Sequence, residues 1–248
     1  MSAGDRGAGC VLAFDTSTES LALALVAGGR VVGHAEPGGP RASAALLPAL
    51  RRLLDAAGLP MAAIDAIGFG RGPGAFTGLR TSCAVAQGLG FGLARPLLPL
   101  DSLLLVADDA RAQLGAGDGF EVGVAMDARM DEVYAGRYRW ADGAWQTLAA
   151  PALYTLPALA VAWRQAPPCV AGSALAAFGE RLSLPAAVQR VPAEADRAAA
   201  LGRLAAAAYA AGQAVDAADA LPLYLRDKVA LTTEERAAVR EAATGAPR

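Results

Sequence analysis

The first half of the chain alternates between short apolar runs and longer amphipathic stretches. The apolar runs predict strands at 11–14, 21–26, 30–35, 64–69 and 96–100. Gly28-Gly29, between the second and third runs, is typical of a hairpin turn. Helices are predicted at 43–57, 77–93 and 103–114, the first ending at Gly58. One face of that first helix carries Leu46, Leu47, Leu50, Leu53 and Leu54.

The second half opens with the same pattern. An apolar strand at 122–126 ends in Asp127-Ala128-Arg129 and is followed by a strand at 132–140, as the strand before Asp15 is followed by its own hairpin. A helix at 156–164, a strand at 169–171 and an alanine-rich helix at 196–212 complete the prediction. We interpret the recurrence as an internal duplication with its boundary near 115–119. Two unrelated hairpins with aspartate turns are the alternative.

Two consecutive units that each begin with a hairpin and an aspartate turn favour an α/β protein of the actin-like ATPase (ASKHA) fold. This fold has two lobes, each with a mixed β-sheet and flanking helices, and its paired turns face each other across a nucleotide cleft. We expect an N-terminal lobe at 1–115 and a C-terminal lobe at 116–248, whose terminal helix could pack back on the first lobe. Fold alone does not fix function.

Composition narrows the classes of partner. The net charge is −2, the pI is about 5.5, and no cluster of basic residues resembles a nucleic-acid footprint. Neither a signal peptide nor an apolar run of about 18 residues, the length that a membrane span needs, is expected. The three cysteines are far apart in the sequence, which favours a reducing, cytoplasmic setting.

The segment GFGRGPGAFTGLRTSCAVAQGLGFG, residues 68–92, resembles a phosphate-binding loop that opens a helix. A Walker A motif is excluded because no lysine follows the glycines, and Lys228 is the only lysine of the chain. The dinucleotide-binding pattern Gly-x-Gly-x-x-Ala is matched by Gly70, Gly72 and Ala75. However, Pro73 removes an amide that could bind phosphate, and no acidic residue ends a second strand about 20 residues later.

The helix after this loop carries a stripe of small residues: Gly78, Ser82, Ala86 and Gly90. Such a stripe permits close helix packing. Gly88 and Gly92 add a helix-propensity cost of about 1 kcal/mol each relative to alanine. The stripe packs either against the protein's own sheet or against another chain, and the residues alone leave both interpretations open.

Catalytic and metal chemistry find little support. The single histidine, His34, lies on a predicted strand without further His or Cys ligands nearby in sequence. Asp15 and Asp127 are the best carboxylate candidates, but acidic turn residues are ordinary structural caps, and we favour that role. We therefore predict no catalytic residues, no metal and no cofactor.

Four segments together resemble the bacterial TsaB family. They are VLAFDTSTESLALAL, GRGPGAFTGLRTSCAVAQGLG, VAMDARMDEVYAGRY and the late PLYLR at Pro222 to Arg226. The resemblance runs in order from about residue 10 to residue 230. It implies a non-catalytic accessory subunit and paralogue of TsaD, the enzyme that transfers the threonylcarbamoyl group when threonylcarbamoyladenosine is made on tRNA.

The resemblance also implies partners. The chain would form a heterodimer with a TsaD-like subunit and work with a TsaE-like ATPase, and the same face serves homodimers in the family. Contact with tRNA would occur only through the complex. The expected partner-binding residues are Leu46, Leu50, Leu53, Gly78, Ser82, Ala86 and Gly90. Gly78→Leu or Ala86→Trp should then abolish the complex and leave the monomer folded.

The expected remains of a nucleotide cleft are Asp15, Thr16, Ser17, Gly72, Gly74, Thr77, Asp127 and Arg129. The alternative function is a small-molecule kinase or ATPase that binds nucleotide between the lobes. A peptidase-like hydrolase is disfavoured, because it would depend on one histidine. Thr232 and Glu235 are spaced as a capping box and predict a short terminal helix.

Overall fold

The computed structural model describes residues 9–226, so the predicted helix at Thr232 lies outside the described residues. The strands are β1 Val11–Asp15, β2 Ser20–Ala27, β3 Arg30–Pro37, β4 Ala66–Gly72, β5 Leu97–Asp101, β6 Glu121–Asp127, β7 Glu132–Ala141, β8 Ala144–Thr155, β9 Cys169–Ala171 and β10 Gln189–Val191. The helices are α1 Ala42–Ala56, α2 Phe76–Leu93, α3 Ser102–Gln113, α4 Leu156–Ala162, α5 Ala174–Phe178 and α6 Arg197–Ala210. Single 3-10 turns occupy Gly39–Arg41, Met61–Ala63 and Gly179–Leu182.

The strands form two sheets of the same topology. The first has the order β3-β2-β1-β4-β5 and the second the order β8-β7-β6-β9-β10. In each, a three-stranded antiparallel meander continues into two parallel strands. Parallel strands need crossover connections, which α1, α2 and the segments after β8 and β9 provide. The two mixed sheets confirm the predicted fold class, and their matching order supports the internal duplication.

Apolar side chains on both faces of the first sheet explain its layers. One face of β1 and β2 presents Leu12, Phe14 and Leu23 to α1 and α2. The opposite face presents alanines and valines, and the alanine-rich α6 packs there together with α3. Although α6 follows the second sheet in sequence, it therefore belongs to the core of the first.

Helix α3 also covers the second sheet and so lies between the lobes. Its Val106 and Ala110 pack with Val122 and Val124 of β6. Helices α4 and α5 cover the far side of that sheet. Across the junction, the Tyr138 hydroxyl donates to Asp101 at 2.7 Å. Burial raises the pKa of Asp101 above its usual range, although that hydrogen bond opposes the effect.

Three elements were missing from the prediction: β8, α5 and β10. Strand β8 is a largely exposed edge strand that contains Pro151, so its apolar residues do not alternate cleanly. The other two are five and three residues long, which is too short for a periodic signal. Within the described part of the chain, no helix has both the length and the hydropathy that a membrane crossing requires.

Candidate functional site

The turn after β1 is organised around the carboxylate of Asp15. Its Oδ1 accepts hydrogen bonds from the Ser17 amide at 2.8 Å and the Ser17 hydroxyl at 2.6 Å. Its Oδ2 accepts from the Ser102 hydroxyl at 2.7 Å. The side chain is 0% exposed, so these donors replace the water that the charge has lost.

Arg197, the first residue of α6, supplies the opposite charge. Its Nη2 lies 3.3 Å from Asp15 Oδ1 and donates to Ser17 Oγ at 3.1 Å, while Nη1 lies 2.6 Å from Glu194. The guanidinium is 5% exposed. Asp109 fixes the position of the helix start, because its carboxylate accepts from the amides of residues 195 and 196.

The balance of these contacts keeps Asp15 ionised. Burial on its own raises the pKa of Asp15. The attraction of Arg197 and the hydrogen bonds from Ser17 and Ser102 outweigh burial, and the pKa lies below the usual range of an aspartate. The same carboxylate and Glu194 hold the pKa of Arg197 above its ordinary value despite burial. Asp15 is therefore an ionised carboxylate that is stabilised by hydrogen-bond donors and a counter-charge of its own chain.

The glycine loop packs directly against this turn. A β-carbon at Gly70 would overlap the Asp15 carboxylate, and one at Gly78 would overlap the Thr16 carbonyl oxygen. At Gly74 an added β-carbon would lie 2.5 Å from the carbonyl oxygen of Ser17. Glycine is required at Gly74 and Gly78 because the loop backbone approaches the backbone of the turn, and at Gly70 because it approaches the Asp15 carboxylate. No phosphate contact is needed to explain these glycines.

The turn after β6 repeats the local geometry in an open setting. Asp127 Oδ1 accepts from the Arg129 amide at 2.8 Å, as Asp15 accepts from Ser17. Its backbone amide donates to the Ser173 hydroxyl at 3.1 Å. The side-chain partner is the exposed Arg129, 3.5 Å away. Asp127 is only half-buried, and its turn faces the space between the lobes.

A cleft of about 820 Å³ lies between the two turns. Four segments line most of it: 17–20 after β1, 73–76 of the glycine loop, 126–130 after β6, and 223–226 near the end of the described chain. Glu19, Asp127 and Glu194 contribute negative charge, and Arg129, Arg197 and Arg226 contribute positive charge. The lining is thus electrically mixed and offers no single-sign field for a polyphosphate.

The expected cleft residues fall into three groups. The residues that line the cleft are Ser17, Gly74, Asp127 and Arg129. Asp15, Thr16 and Gly72 are buried and do not line it. Thr77 is exposed on α2, outside the cleft lining. The structure therefore brings half of the predicted set to the cleft surface.

The expected partner-binding residues need correction. Leu46, Leu50, Leu53, Gly78, Ser82, Ala86 and Gly90 are all buried within the chain. Ser82 Oγ accepts from the Thr16 amide at 3.2 Å, and a β-carbon at Gly90 would lie 3.0 Å from Ala217 and Leu97 side chains. The stripe packs against the protein's own turn and sheet. Gly78→Leu would consequently disrupt the fold and cannot isolate partner binding.

His34, the single histidine of the chain, lies away from the cleft. His34 lies on the exposed strand β3 with its Nε2 3.1 Å from Glu36, and it does not line the cleft. Within residues 9–226, no three His, Cys, Asp or Glu side chains are placed to share a metal ion.

Sequence reasoning missed Arg197 and Ser102, which complete the Asp15 site. Ser102 Oγ also accepts from the Gly72 amide at 3.1 Å, so it joins the glycine loop to the aspartate. An arginine at the start of an alanine-rich helix, after the capping residue Asp196, was the only local signal. Such a signal does not identify a partner 182 residues away.

Comparison with known proteins shows consistent similarity over most of the chain. A family model described as TsaD, tRNA N6-adenosine threonylcarbamoyltransferase, matches residues 34–243. The tRNA threonylcarbamoyladenosine biosynthesis protein TsaB of Escherichia coli K12 is 31% identical over 235 residues, which are 89% of this chain and 96% of that protein. TsaB of Haemophilus influenzae is 39% identical over 124 residues, about half of each chain.

Solved structures agree with these relatives. YeaZ from Pseudomonas aeruginosa superposes with a TM-score of 0.78 at 40% identity, over 88% of this chain and all of that one. A second P. aeruginosa structure, described as an uncharacterized protein with similarity to peptidase YeaZ, has a TM-score of 0.79 at 40% identity.

Proposed function

The chain belongs to the TsaB family, and from this premise we propose that it is a non-catalytic subunit that binds and activates a TsaD-like threonylcarbamoyltransferase. Its role lies in the threonylcarbamoyladenosine modification of tRNA. We place this role in the cytoplasm, together with a TsaE-like ATPase, and with tRNA reached through the complex.

The state of Asp15 supports a non-catalytic subunit. A carboxylate that bound a metal–nucleotide complex would need free oxygen lone pairs toward the cleft. Here Oδ1 accepts from Ser17 and Arg197, Oδ2 accepts from Ser102, and the side chain is fully buried and does not line the cleft. The kinase or ATPase alternative is not favoured for this reason. A peptidase mechanism gains no support from His34, which lies apart from the cleft lining.

The proposal rests on the exposed side of α2, which carries glycines beside an apolar side chain. In the described part of the chain, an added β-carbon at Gly88 or Gly92 would meet nothing within 4 Å, so packing among residues 9–226 explains neither glycine. Between them Phe91 is 63% exposed, and Leu47 on the neighbouring α1 is 50% exposed. Glycines that weaken a helix and face solvent beside apolar side chains fit a surface where another helix approaches closely.

The proposed partner surface is thus the outer side of the helices that the sequence indicated. The buried stripe around Gly78 fixes α2 on its own sheet. Among the described residues, the outer side of α2 exposes Ala84, Gly88, Phe91 and Gly92. Since small and apolar residues alternate on this face, we expect a helix of the TsaD-like subunit, or of a second copy, to pack there.

Gly88→Leu tests the surface, because it adds bulk where the free chain has open space. The variant should keep or raise its thermal stability and lose at least about tenfold in affinity for the cognate TsaD-like subunit, as expected for a blocked interface centre. Ala207→Leu, on the exposed side of α6, is the matched control and should bind normally. Affinity is measured by calorimetry, and tRNA modification is measured in a strain in which the variant replaces the chain.

Full affinity of Gly88→Leu for the partner would contradict the proposed surface. Loss of tRNA modification with intact binding would indicate a role outside this surface. If the free chain is a homodimer in sedimentation experiments, Gly88→Leu should also convert it to a monomer.

A further inference from the structure

The chain after α6 runs back over the first lobe and is fastened there by backbone contacts. Leu97 and Val215 exchange two hydrogen bonds of 2.9 and 2.8 Å. Further on, the Ala220 carbonyl oxygen accepts from Gln87 Nε2 at 3.0 Å and contacts Cys83 Sγ at 3.4 Å. The segment is therefore held to the edge of the sheet and to α2 before it reaches the cleft.

Residues 221–226, which we call the clasp, come next, and residues 223–226 line the cleft. The Leu223 amide donates to the Arg71 carbonyl oxygen at 2.7 Å. The Tyr224 hydroxyl accepts from Arg80 Nε at 3.2 Å. Both contacts belong to the first lobe, on β4 and α2. The clasp includes the whole PLYLR segment, to which the proposed function assigns no role.

The far end of the clasp is anchored on the second lobe by Arg226. Its Nη2 donates to the Ala128 carbonyl oxygen at 2.9 Å, and its Nη1 lies 2.7 Å from the Glu132 carboxylate. Ala128 precedes the tip of the β6–β7 turn and Glu132 follows it. One guanidinium thus joins both sides of the turn, a geometry that its planar fork of donors favours.

The β6–β7 turn has an uncommon backbone conformation. Arg129, Met130 and Asp131 have φ angles of 64°, 56° and 57°, three successive residues in the left-handed region without a glycine among them. A β-carbon crowds the following carbonyl oxygen in this conformation, so such runs are uncommon. Arg226 supplies contacts that favour this conformation over a relaxed turn.

We propose that the clasp holds the two lobes in one relative orientation and that Arg226 is its fastening residue. The first-lobe contacts of Leu223 and Tyr224 fix one end, and the second-lobe contacts of Arg226 fix the other. Because the clasp spans the cleft, its release lets the β6–β7 turn relax and the cleft widen. This inference is independent of the proposed partner.

Hydrogen exchange on the full chain tests the proposal with Arg226→Gln, which keeps much of the side-chain length and removes the charge. Losing charged hydrogen bonds should speed amide exchange about tenfold in peptides covering 127–132 and 221–226. Peptides 73–76, on the opposite wall of the cleft, should also gain exchange, and small-angle scattering should show a larger radius of gyration. Peptides from α1 and β8 should be unchanged.

Arg181→Gln is the matched control, because Arg181 pairs with Asp131 of the same turn at 3.1 Å from an exposed position. It should change exchange at 127–132 by less than about twofold, as expected for an exposed ion pair. Tyr224→Ala removes one of the two first-lobe contacts of the clasp and should also speed exchange at 221–226, while the backbone hydrogen bond of Leu223 to Arg71 remains.

Two results would overturn the proposal. In the first, Arg226→Gln leaves exchange at 127–132 within about twofold of the unmodified chain, the range of the control. In the second, the turn loosens while peptides 73–76 and the radius of gyration stay unchanged, which would make Arg226 a brace of its own turn only.

Discussion

Asp15 and Asp127 end the central strands of two sheets with the same order, yet their surroundings are opposite. Each carboxylate accepts a 2.8 Å hydrogen bond from the amide two residues later. Asp15 is buried in contact with Ser102 and Arg197, whereas Asp127 faces the cleft beside an exposed arginine. The shared local turn comes from the repeat, and the difference comes from what packs on it.

The turns after β1 and β6 therefore have different roles in the molecule. The buried turn joins the glycine loop, α3 and α6, so it functions as a structural centre of the chain. The open turn is contacted by the clasp residue Arg226 and lines the cleft. If the contrast is correct, equivalent changes at the two turns should have very unequal effects.

The largest effect is expected for Arg197→Met. It leaves the Asp15 carboxylate buried without its counter-charge, which should lower the free energy of unfolding by about 3–5 kcal/mol. Urea unfolding followed by circular dichroism measures this loss. Adding Asp15→Asn to the variant should recover part of it, because the unpaired charge is then removed. A loss below about 1 kcal/mol, the range of surface pairs, would mean that the ion pair is unimportant.

A smaller effect is expected for the serines that serve the two turns. Ser102→Ala removes a donor to Asp15 and an acceptor of the Gly72 amide, both buried, and should cost about 1–3 kcal/mol. Ser173→Ala removes the acceptor of the Asp127 amide beside the open cleft, where water can replace it. It should cost less than about 1 kcal/mol. Equal losses in urea unfolding would contradict the difference between the turns.

Patterns within short stretches of sequence predicted most of the strands and helices. Continuous apolar runs and paired glycines placed β1 to β7 in the sequence, and leucine spacing placed α1. The aspartate turns were also visible as a repeat. The exposed edge strand β8 was not visible, since its side chains carry no clean alternation.

The long-range contacts could not be predicted because no local pattern encodes them. Arg197 meets Asp15 only after α6 has packed on the first sheet. Helix α2 has small residues on two faces, and the sequence alone does not say which face meets the sheet. The family resemblance implied a partner at the stripe around Gly78, whereas this stripe is buried and Gly88 and Gly92 are the glycines that face solvent.

The stability that Asp15 contributes to the fold is expected to depend on pH. Because the folded chain holds the pKa of Asp15 below the ordinary value of 3.8, ionised Asp15 stabilises the fold fully above that value. This contribution is lost as the pH falls below 3.8 toward the lowered pKa. The stability difference between the unmodified chain and Asp15→Asn, from urea unfolding at several pH values, should shrink over that interval. A difference that stays constant would mean that the pKa of Asp15 is not lowered.

The smallest effect is expected for Arg129→Ala in the open turn. Arg129 lies 3.5 Å from Asp127 and 3.7 Å from Glu19, but its side chain is 77% exposed. Water and salt screen such pairs, so urea unfolding should show a loss below about 1 kcal/mol. Alanine keeps a β-carbon at the left-handed position, so the backbone preference of the turn is unchanged and only the ion pairs are removed. A loss as large as that of Arg197→Met would mean that both turns are structural centres, because the open turn would then rest on Arg129 and not on Arg226.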